Sequence, residues 1–284
     1  MLQLTQPQPF QEALDSRAVK SVLPTTLRTK EMSALPAAIR ERAFWSAGVT
    51  STRFLDEANS VIQDILDGKI DRATGRQRLD ALREELGAPS VAEVGKGGGL
   101  TDLWSERRQN VLIATNVRMA RGYGNWKQGM DPDVLDEFPA SEFLRVAPRL
   151  KHRNDSPDAT KHWDYRWEKA CMAAGDLLAL RVFKNTGRMV ALKTSGVWIH
   201  LSRFGLPYDP VDYNTGMGRR DVDRDEAETL GLIKPEQTLT PQTRGFNDDF
   251  QLSPDVRSAA LLNVLVEAFK NLGLDFTGGI FSTS

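Results

Sequence analysis

The chain has 284 residues, of which 40% are apolar and 26% charged, and this composition is typical of a folded protein with one large domain or two small ones. Lysine and arginine number 37 against 38 acidic residues, and the resulting net charge of −1 argues against a protein that coats duplex DNA. Because Cys171 is the only cysteine, an internal disulfide is excluded. The sequence predicts neither a signal segment nor a membrane span, so we expect synthesis in a cytoplasm.

The N-terminal third divides into an arm and a helical domain. Residues 1–30 are rich in glutamine, proline and threonine without a sustained apolar period, which predicts an extended arm that a partner orders. Residues 31–87 predict a helical domain that begins with a short helix over 34–47. Two amphipathic helices follow, one from Thr50 to Gly68 and one from Asp71 to Gly87, and the short turn between them predicts an antiparallel pair.

Residues 88–99 form a glycine-rich linker, with glycine at positions 95, 97, 98 and 99. A phosphate-binding loop would need a serine or threonine directly after its lysine, but Lys96 is followed by Gly97. We therefore interpret the segment as a flexible connection that separates a helical N-terminal part from the rest of the chain.

Residues 100–235 are predicted to form one module that starts with a long helix and continues with β-structure. Thr101 is the expected cap of this helix, which should end near Arg121 because Gly122 and Gly124 follow. Asp131 and Pro132 predict the start of a short helix.

The second half of this module is predicted to contain strands and turns. The runs MVALK (189–193) and VWIHLS (197–202) predict a β-hairpin, and residues 204–218 predict irregular structure rich in turns. Asp223 and Glu226 predict the start of a further helix. Residues 236–284 should contain a loop and an apolar helix over 254–272. The predicted fold class is therefore α+β: a helical N-terminal half with an antiparallel helix pair and a long helix, a small mixed β-rich module, and a C-terminal helix.

Two groups of residues are candidates for binding. Arg118 and Arg121 lie one helical turn apart and are followed by Tyr123 and Trp126, a combination that can contact nucleic acid or a protein partner. The alternative is that both aromatic rings pack inside the protein.

The second group, His152, His162 and Cys171, is a candidate zinc site, although these residues are spaced ten and nine positions apart, wider than in structural zinc sites. A metal-dependent nuclease or hydrolase that uses His152, His162 or His200 is the alternative function. We predict no catalytic residue and no cofactor, because no sequence pattern selects one.

Several segments, taken in order, resemble the Mu F-like family of phage head morphogenesis proteins, the minor head proteins. The resemblance covers roughly residues 31–235, and its segments are LPAAIRERAFWSAGV, NVLIATNVRMARGYGNWKQG, EFPASEFLRVAPRLKHR, HWDYRWEKA, RMVALKTSGVWIHLSRFGLPYDPVDYNTGMG and DVDRDEAETLGLI. The stretch SRFGLPYDPVDYNTGMG is fairly specific, and the N-terminal helices are less so. Where the family has an Ile-Ala-Arg-Thr-Glu-like pattern, this chain has Ile113, Ala114, Thr115 and Asn116, without the arginine and glutamate, and it also lacks the cysteines that many relatives carry near the end of this module.

The resemblance implies a structural role in the head of a tailed bacteriophage or prophage. It implies a minor capsid protein, made in the cytoplasm of the bacterial host, that becomes part of the virion near the portal. The implied partners are the portal and capsid proteins, with packaged DNA as a further contact.

Overall fold

The structure is a computed structural model, and it describes residues 10–18, 20–34, 43–88, 99–100, 102–149, 152–242, 251–252, 263, 266–267, 270, 274–278 and 280–283. Within them the fold is α+β, with helices dominating the N-terminal half and small sheets concentrated later, which confirms the predicted fold class. No helix in these ranges is both long enough and apolar enough to cross a membrane.

The chain divides into two compact units, one formed by Met1–Ala120 with Arg244–Ser284 and the other by Arg121–Thr243. The sequence predicts that residues 88–99 separate the helical N-terminal part from the rest of the chain. Residues 89–98 of this segment lie outside the described residues. The boundary falls instead after Ala120, because Leu112, Ile113 and Val117 belong to the same apolar core as the helices that precede them.

The first unit is mainly helical. Its elements up to Ala120 are α1 (Gln11–Ala18), β1 (Ser21–Val22), α2 (Thr29–Ala34), β2 (Ala43–Phe44), α3 (Thr52–Leu66), α4 (Arg72–Glu85) and the first part of α5 (Glu106–Gln128). Its core is made by buried side chains of α3, α4 and α5, among them Phe54, Leu55, Val61, Ile62, Leu79, Leu82 and Ile113.

Helices α3 and α4 form the predicted antiparallel pair. Arg53 at the start of α3 pairs with Glu85 at the end of α4, and a Cβ on Gly75 near the start of α4 would meet Val61 Cγ1 at 2.7 Å. The glycine therefore lets the two helices approach closely. Asp71 caps α4 as predicted, accepting the backbone N–H of Thr74.

The N-terminal segment differs from the extended arm predicted for residues 1–30. Residues 11–18 are the helix α1, whose Ala13 and Arg17 are buried. The Arg17 guanidinium lies over the Phe44 ring, 4.9 Å from its centroid, and donates to the side chains of Asn59 and Asn116. The sequence does not predict this helix because its apolar content is low. One of the side chains that attaches it to the rest of the unit is a buried arginine, Arg17.

The helix predicted over residues 34–47 is also wrong at its C-terminal end. Ala43–Phe44 form strand β2, which pairs in parallel with β1, and both residues are buried. Alanine is uncommon in strands, so the local sequence does not predict a strand at Ala43. The extended conformation of Ala43 and Phe44 results from their pairing with Ser21 and Val22.

The second unit combines a three-stranded antiparallel sheet with short helices. Its elements are the end of α5, α6 (Pro132–Glu137), β3 (Ala140–Arg145), two single-turn 3₁₀ helices (Arg153–Asp155 and Ala159–Lys161), α7 (Trp163–Ala174), α8 (Leu177–Thr186), β4 (Val190–Leu192), α9 (Val197–Leu201), β5 (Met217–Val222) and α10 (Arg224–Thr229). The strand order is β4-β3-β5, with Ala140 opposite both Leu192 and Val222. Trp167 and Trp198 meet edge to face in the core at a centroid distance of 5.5 Å.

The predicted hairpin of residues 189–193 and 197–202 is wrong, because only its first half is a strand. Val197–Leu201 form helix α9, whose Val197, Trp198 and Leu201 share the buried face. The Trp198 indole N–H donates to the Leu192 carbonyl at 2.8 Å, so the side chain packs against the end of β4. Val197, Trp198 and Leu201 can share one face of a helix, and in a run of five residues the apolar pattern does not distinguish a helix from a strand.

Helix α5 does not end near Arg121 as predicted. It continues through Gly122 and Gly124, both buried, to Gln128. The Gly and aromatic residues are therefore part of a helix and not a joint after it. The starts of α6 at Asp131 and of α10 at Asp223 are as predicted, since both aspartates cap backbone N–H groups.

The C-terminal part of the chain contains a small antiparallel sheet that the sequence did not predict. Its strands are β6 (Gln251–Leu252), β7 (Leu274–Thr277) and β8 (Ile280–Thr283), in the order β6-β8-β7. The apolar helix predicted over 254–272 lies largely outside the described residues, although residues 263, 266–267 and 270 are helical.

Candidate functional site

The second unit is organised around the irregular stretch 202–216, which approaches helix α5 at Gly122. A Cβ on Gly122 would lie 1.9 Å from the Asp209 carbonyl oxygen. Tyr208, next to Asp209, packs against Tyr123 at a centroid distance of 5.6 Å and against Trp126 at 6.4 Å. Three aromatic rings thus surround the point where the stretch meets the helix.

Arg219 on β5 is buried beneath this stretch. Its guanidinium lies over the Trp198 ring, 4.2 Å from the centroid, and Nη1 donates to the Pro207 carbonyl at 2.7 Å. Burial lowers the pKa of Arg219, and the carboxylate of Asp209, 3.5 Å from its Nε, opposes that effect. Arg219 therefore ties the stretch to the sheet and the tryptophan core.

Asp212 is the centre of a group that we call the Asp212 cluster, formed with Arg153, Arg166 and Arg203. Its carboxylate is only 4% exposed and lies 2.9 Å from Arg166 Nη1, 3.0 Å from Arg153 Nη2 and 3.7 Å from Arg203 Nη1. The backbone N–H of Tyr213 also donates to this carboxylate, at 2.7 Å. The cluster joins the 3₁₀ segment, helix α7 and the irregular stretch.

Aromatic rings support two of these arginines. The Arg166 guanidinium lies 4.3 Å from the Trp163 ring centroid and also donates to the Leu201 carbonyl, and that of Arg203 lies 5.4 Å from the Tyr213 ring. Stacking of this kind holds a guanidinium in place while leaving its edge available for hydrogen bonds.

A second charged group lies on the sheet and is electrically balanced. Glu142 accepts hydrogen bonds from Arg188 at 2.8 and 2.9 Å and from Arg220 at 2.9 Å, and Glu226 accepts from the same two arginines. Hydrogen bonding to Arg188 is the largest cause that lowers the pKa of Glu142. Two carboxylates against two guanidinium groups fit a structural role that joins β3, β5 and α10.

The first group of candidate residues is divided by the fold. Tyr123 and Trp126 pack against Tyr208, and Trp126 is buried, as the packing interpretation expects. Arg118 and Arg121 are exposed, and the boundary between the two compact units falls between them.

The candidate metal residues have different environments. Cys171 is fully buried, and burial raises the pKa of its thiol to about 12. His162 is half-buried with Nε2 2.7 Å from the Ser156 carbonyl oxygen, while His152 and His200 are exposed. Among the described residues no three His, Cys, Asp or Glu side chains are arranged to hold a metal ion.

Sequence reasoning missed the Asp212 cluster. Its arginines lie at positions 153, 166 and 203, and no spacing rule relates residues so far apart in the chain. The available signal was Asp212 itself, an acid between Val211 and Tyr213, for which burial would require a cationic partner.

In the comparisons with known proteins, no family model, no curated protein and no solved structure matches this chain.

Proposed function

We propose that this chain is a minor head protein of a tailed bacteriophage or prophage, a structural protein that acts in capsid assembly near the portal. The observation that carries the proposal is the ordered set of segments over residues 31–235 that resemble the Mu F-like minor head proteins. A fold or family likeness does not supply a reaction mechanism, so the proposed role is assembly.

The contacts of a fairly specific stretch of this resemblance support this role. In SRFGLPYDPVDYNTGMG, Tyr208 packs on helix α5, the Asp209 carbonyl fills the space beside Gly122, and the Asp212 carboxylate gathers three arginines. Each of these side chains or backbone groups holds the second unit together. A motif whose residues hold a unit together specifies a stable fold, and a stable fold is what a structural protein of an assembly needs.

Exposed apolar side chains near the α7–α8 turn support contacts with other proteins. Met172 and Leu177 are each 70% exposed, and Leu178 is 42% exposed. Clustered apolar surface is costly in water and is typical of protein interfaces. The proposed partners are the portal and capsid proteins of the virion, with several copies in one particle.

The composition of purified particles tests the proposal. Procapsids and mature heads should both be analysed by mass spectrometry, and peptides of this chain are expected in at least one of them. The absence of this chain from both procapsids and mature heads would refute the proposal.

A complementation experiment tests the enzyme alternative in parallel. Deletion of the gene should abolish infectious particles, and the wild-type chain and its His152→Ala, His162→Ala and His200→Ala variants should each restore them. A histidine variant that folds, fails to restore titre and loses nuclease activity found in the wild type would replace the structural proposal with an enzymatic one.

A further inference from the structure

The Asp212 cluster carries an excess of positive charge. One carboxylate faces three guanidinium groups, so the cluster has two positive charges more than its own acid neutralises. The Glu142 group on the same unit has two acids for two arginines and no such excess. A structural ion-pair group does not need a surplus of cations, which suggests that the Asp212 cluster has another partner.

Among the described residues, the acids that are close to Arg153 and Arg166 in the chain do not supply the missing charge. Asp155 accepts the backbone N–H of His152, and Asp158 pairs with Lys161. Asp164 is two positions from Arg166 on α7, a spacing that places two side chains on different faces of a helix. The pKa of Arg166 is lowered first by burial and further by the proximity of Arg153 and Arg203, and Asp212 offsets this only in part.

Two of the arginines have donors available for a ligand. The side chain of Arg203 is 45% exposed, and within the described part of the chain its guanidinium makes only the 3.7 Å ion pair and the ring contact with Tyr213. Arg153 is 31% exposed, and its contacts with the residues that the structure describes use only Nη2, towards Asp212 and the Tyr213 carbonyl. Since a guanidinium has five N–H donors, both arginines can donate to a further acceptor without losing their present contacts.

The geometry favours an oxyanion of phosphate type. One guanidinium can donate two parallel hydrogen bonds to two oxygens of a phosphate group. Here both guanidinium groups are held beside the Asp212 carboxylate, and that of Arg203 also lies against the Tyr213 ring. The two side chains therefore lose little conformational freedom when they bind an anion. We propose that Arg153 and Arg203, held in place by Asp212, each bind a phosphate group of a DNA backbone. The choice of DNA over a free phosphate rests on the proposed function, whereas the anion site itself does not.

The experiment measures binding of the purified full chain to a fluorescently labelled duplex of arbitrary sequence at several salt concentrations. Two phosphate contacts predict a slope of log K against log salt of about −2 for the wild type. Arg203→Gln should reduce this slope to about −1, and Arg153→Gln should act in the same direction. Arg203→Lys should keep the slope near that of the wild type, because the charge is retained.

Arg220→Gln is the matched control, because Arg220 is 47% exposed, lies in the same unit and belongs to the balanced Glu142 group. It should leave the slope unchanged. Equal slopes for Arg203→Gln and Arg220→Gln would overturn the proposal, as would a loss confined to Arg118→Gln or Arg121→Gln. Circular dichroism of each variant separates loss of binding from loss of folding, and if Arg203→Gln does not fold, Arg153→Gln and Arg203→Lys provide the same comparison.

A titration with inorganic phosphate, followed by the shift in melting temperature, distinguishes the two sources of the anion. Stabilisation by phosphate that Arg203→Gln abolishes, without any binding to the duplex, would overturn the assignment of DNA. Because these measurements use the isolated protein, they can fail while the chain is still found in particles, and the converse also holds.

Discussion

The carbonyl oxygen of Asp209 occupies the space that a side chain on residue 122 would need. A Cβ built on Gly122 would lie 1.9 Å from this oxygen and 2.8 Å from the carbonyl carbon, far closer than non-bonded atoms approach. The irregular stretch therefore lies directly on the backbone of helix α5. Glycine in the middle of a helix weakens it, and the close contact is the physical reason for its presence here.

We predict that Gly122→Ala destabilises the protein. Alanine is favoured over glycine in a helix by about 1 kcal/mol, but overpacking against a backbone group costs up to about 3 kcal/mol, so a net loss of about 2 kcal/mol is expected. The free energy of unfolding can be measured by urea denaturation followed through tryptophan fluorescence.

Gly196→Ala is the control for this substitution, since a Cβ on Gly196 would meet its nearest neighbour, Ala174 Cβ, at an ordinary 3.5 Å. We expect a change within about 0.5 kcal/mol. If Gly122→Ala were as stable as Gly196→Ala, the described contact between residues 122 and 209 would be wrong.

A second prediction concerns the acid of the Asp212 cluster. Asp212→Asn removes the carboxylate that pairs with the three arginines of the cluster. Loss of one partner of a buried ion pair costs about 3–5 kcal/mol, and partial exposure of Arg153 and Arg203 reduces the expected loss to about 2–3 kcal/mol.

Glu168→Gln provides the comparison for Asp212→Asn, because Glu168 also pairs with a cation in the same unit, Lys184, but the two side chains are 37% and 56% exposed. Its expected loss is below about 1 kcal/mol. Similar midpoints of denaturation for the two variants would contradict a central structural role for Asp212.

The sequence predicted the helices with strong local signals and missed what long-range contacts decide. Asp71, Asp131 and Asp223 cap the helices expected from them, because a cap involves only a few neighbouring residues. Because glycine disfavours helix, the sequence predicts that α5 ends near Arg121, and it gives no signal for the contact of Gly122 with Asp209, 87 positions away. Val197–Leu201 became a helix for a similar reason, since Trp198 bonds to the end of β4.

The candidate site shows the same limit. Tyr123 and Trp126 were identified as a group because they are close in the chain, and they do lie together on Tyr208. The Asp212 cluster brings together three arginines from separate segments, and each of them alone resembles an ordinary surface arginine in the sequence. Only the tertiary fold shows that they share one buried carboxylate.

A third prediction follows from the lowered pKa of Glu142. Arg188 and Arg220 stabilise its charged form, so the folded state holds this carboxylate below its ordinary pKa of 4.5. As pH falls, the unfolded chain binds the proton first, and the stabilisation is present above pH 4.5 and lost as pH falls through the folded pKa. Glu142→Gln should therefore be less stable than the wild type at pH 7, and the difference should shrink towards pH 3.

Denaturation midpoints at a series of pH values check this expectation. Glu226 shares both arginines, so the two carboxylates titrate together and the effect belongs to the pair. Glu168→Gln removes an exposed pair with Lys184 and should change the pH profile little. A constant difference between Glu142→Gln and the wild type over the whole pH range would contradict the prediction.

The last prediction concerns the thiol of Cys171, which lies in the tryptophan core beside Trp167 and Trp198. Burial raises its pKa to about 12. At pH 8 only about one thiol in ten thousand would then be a thiolate, the form that attacks disulfide reagents and binds zinc. We expect an aromatic disulfide reagent to modify Cys171 at least about a hundredfold more slowly in the folded protein than in guanidinium, with a rate set by opening of the unit. Zinc should neither protect the thiol nor raise the melting temperature. Fast modification of the folded protein, or protection by zinc that His162→Ala removes, would show that Cys171 is accessible and would support the candidate zinc site.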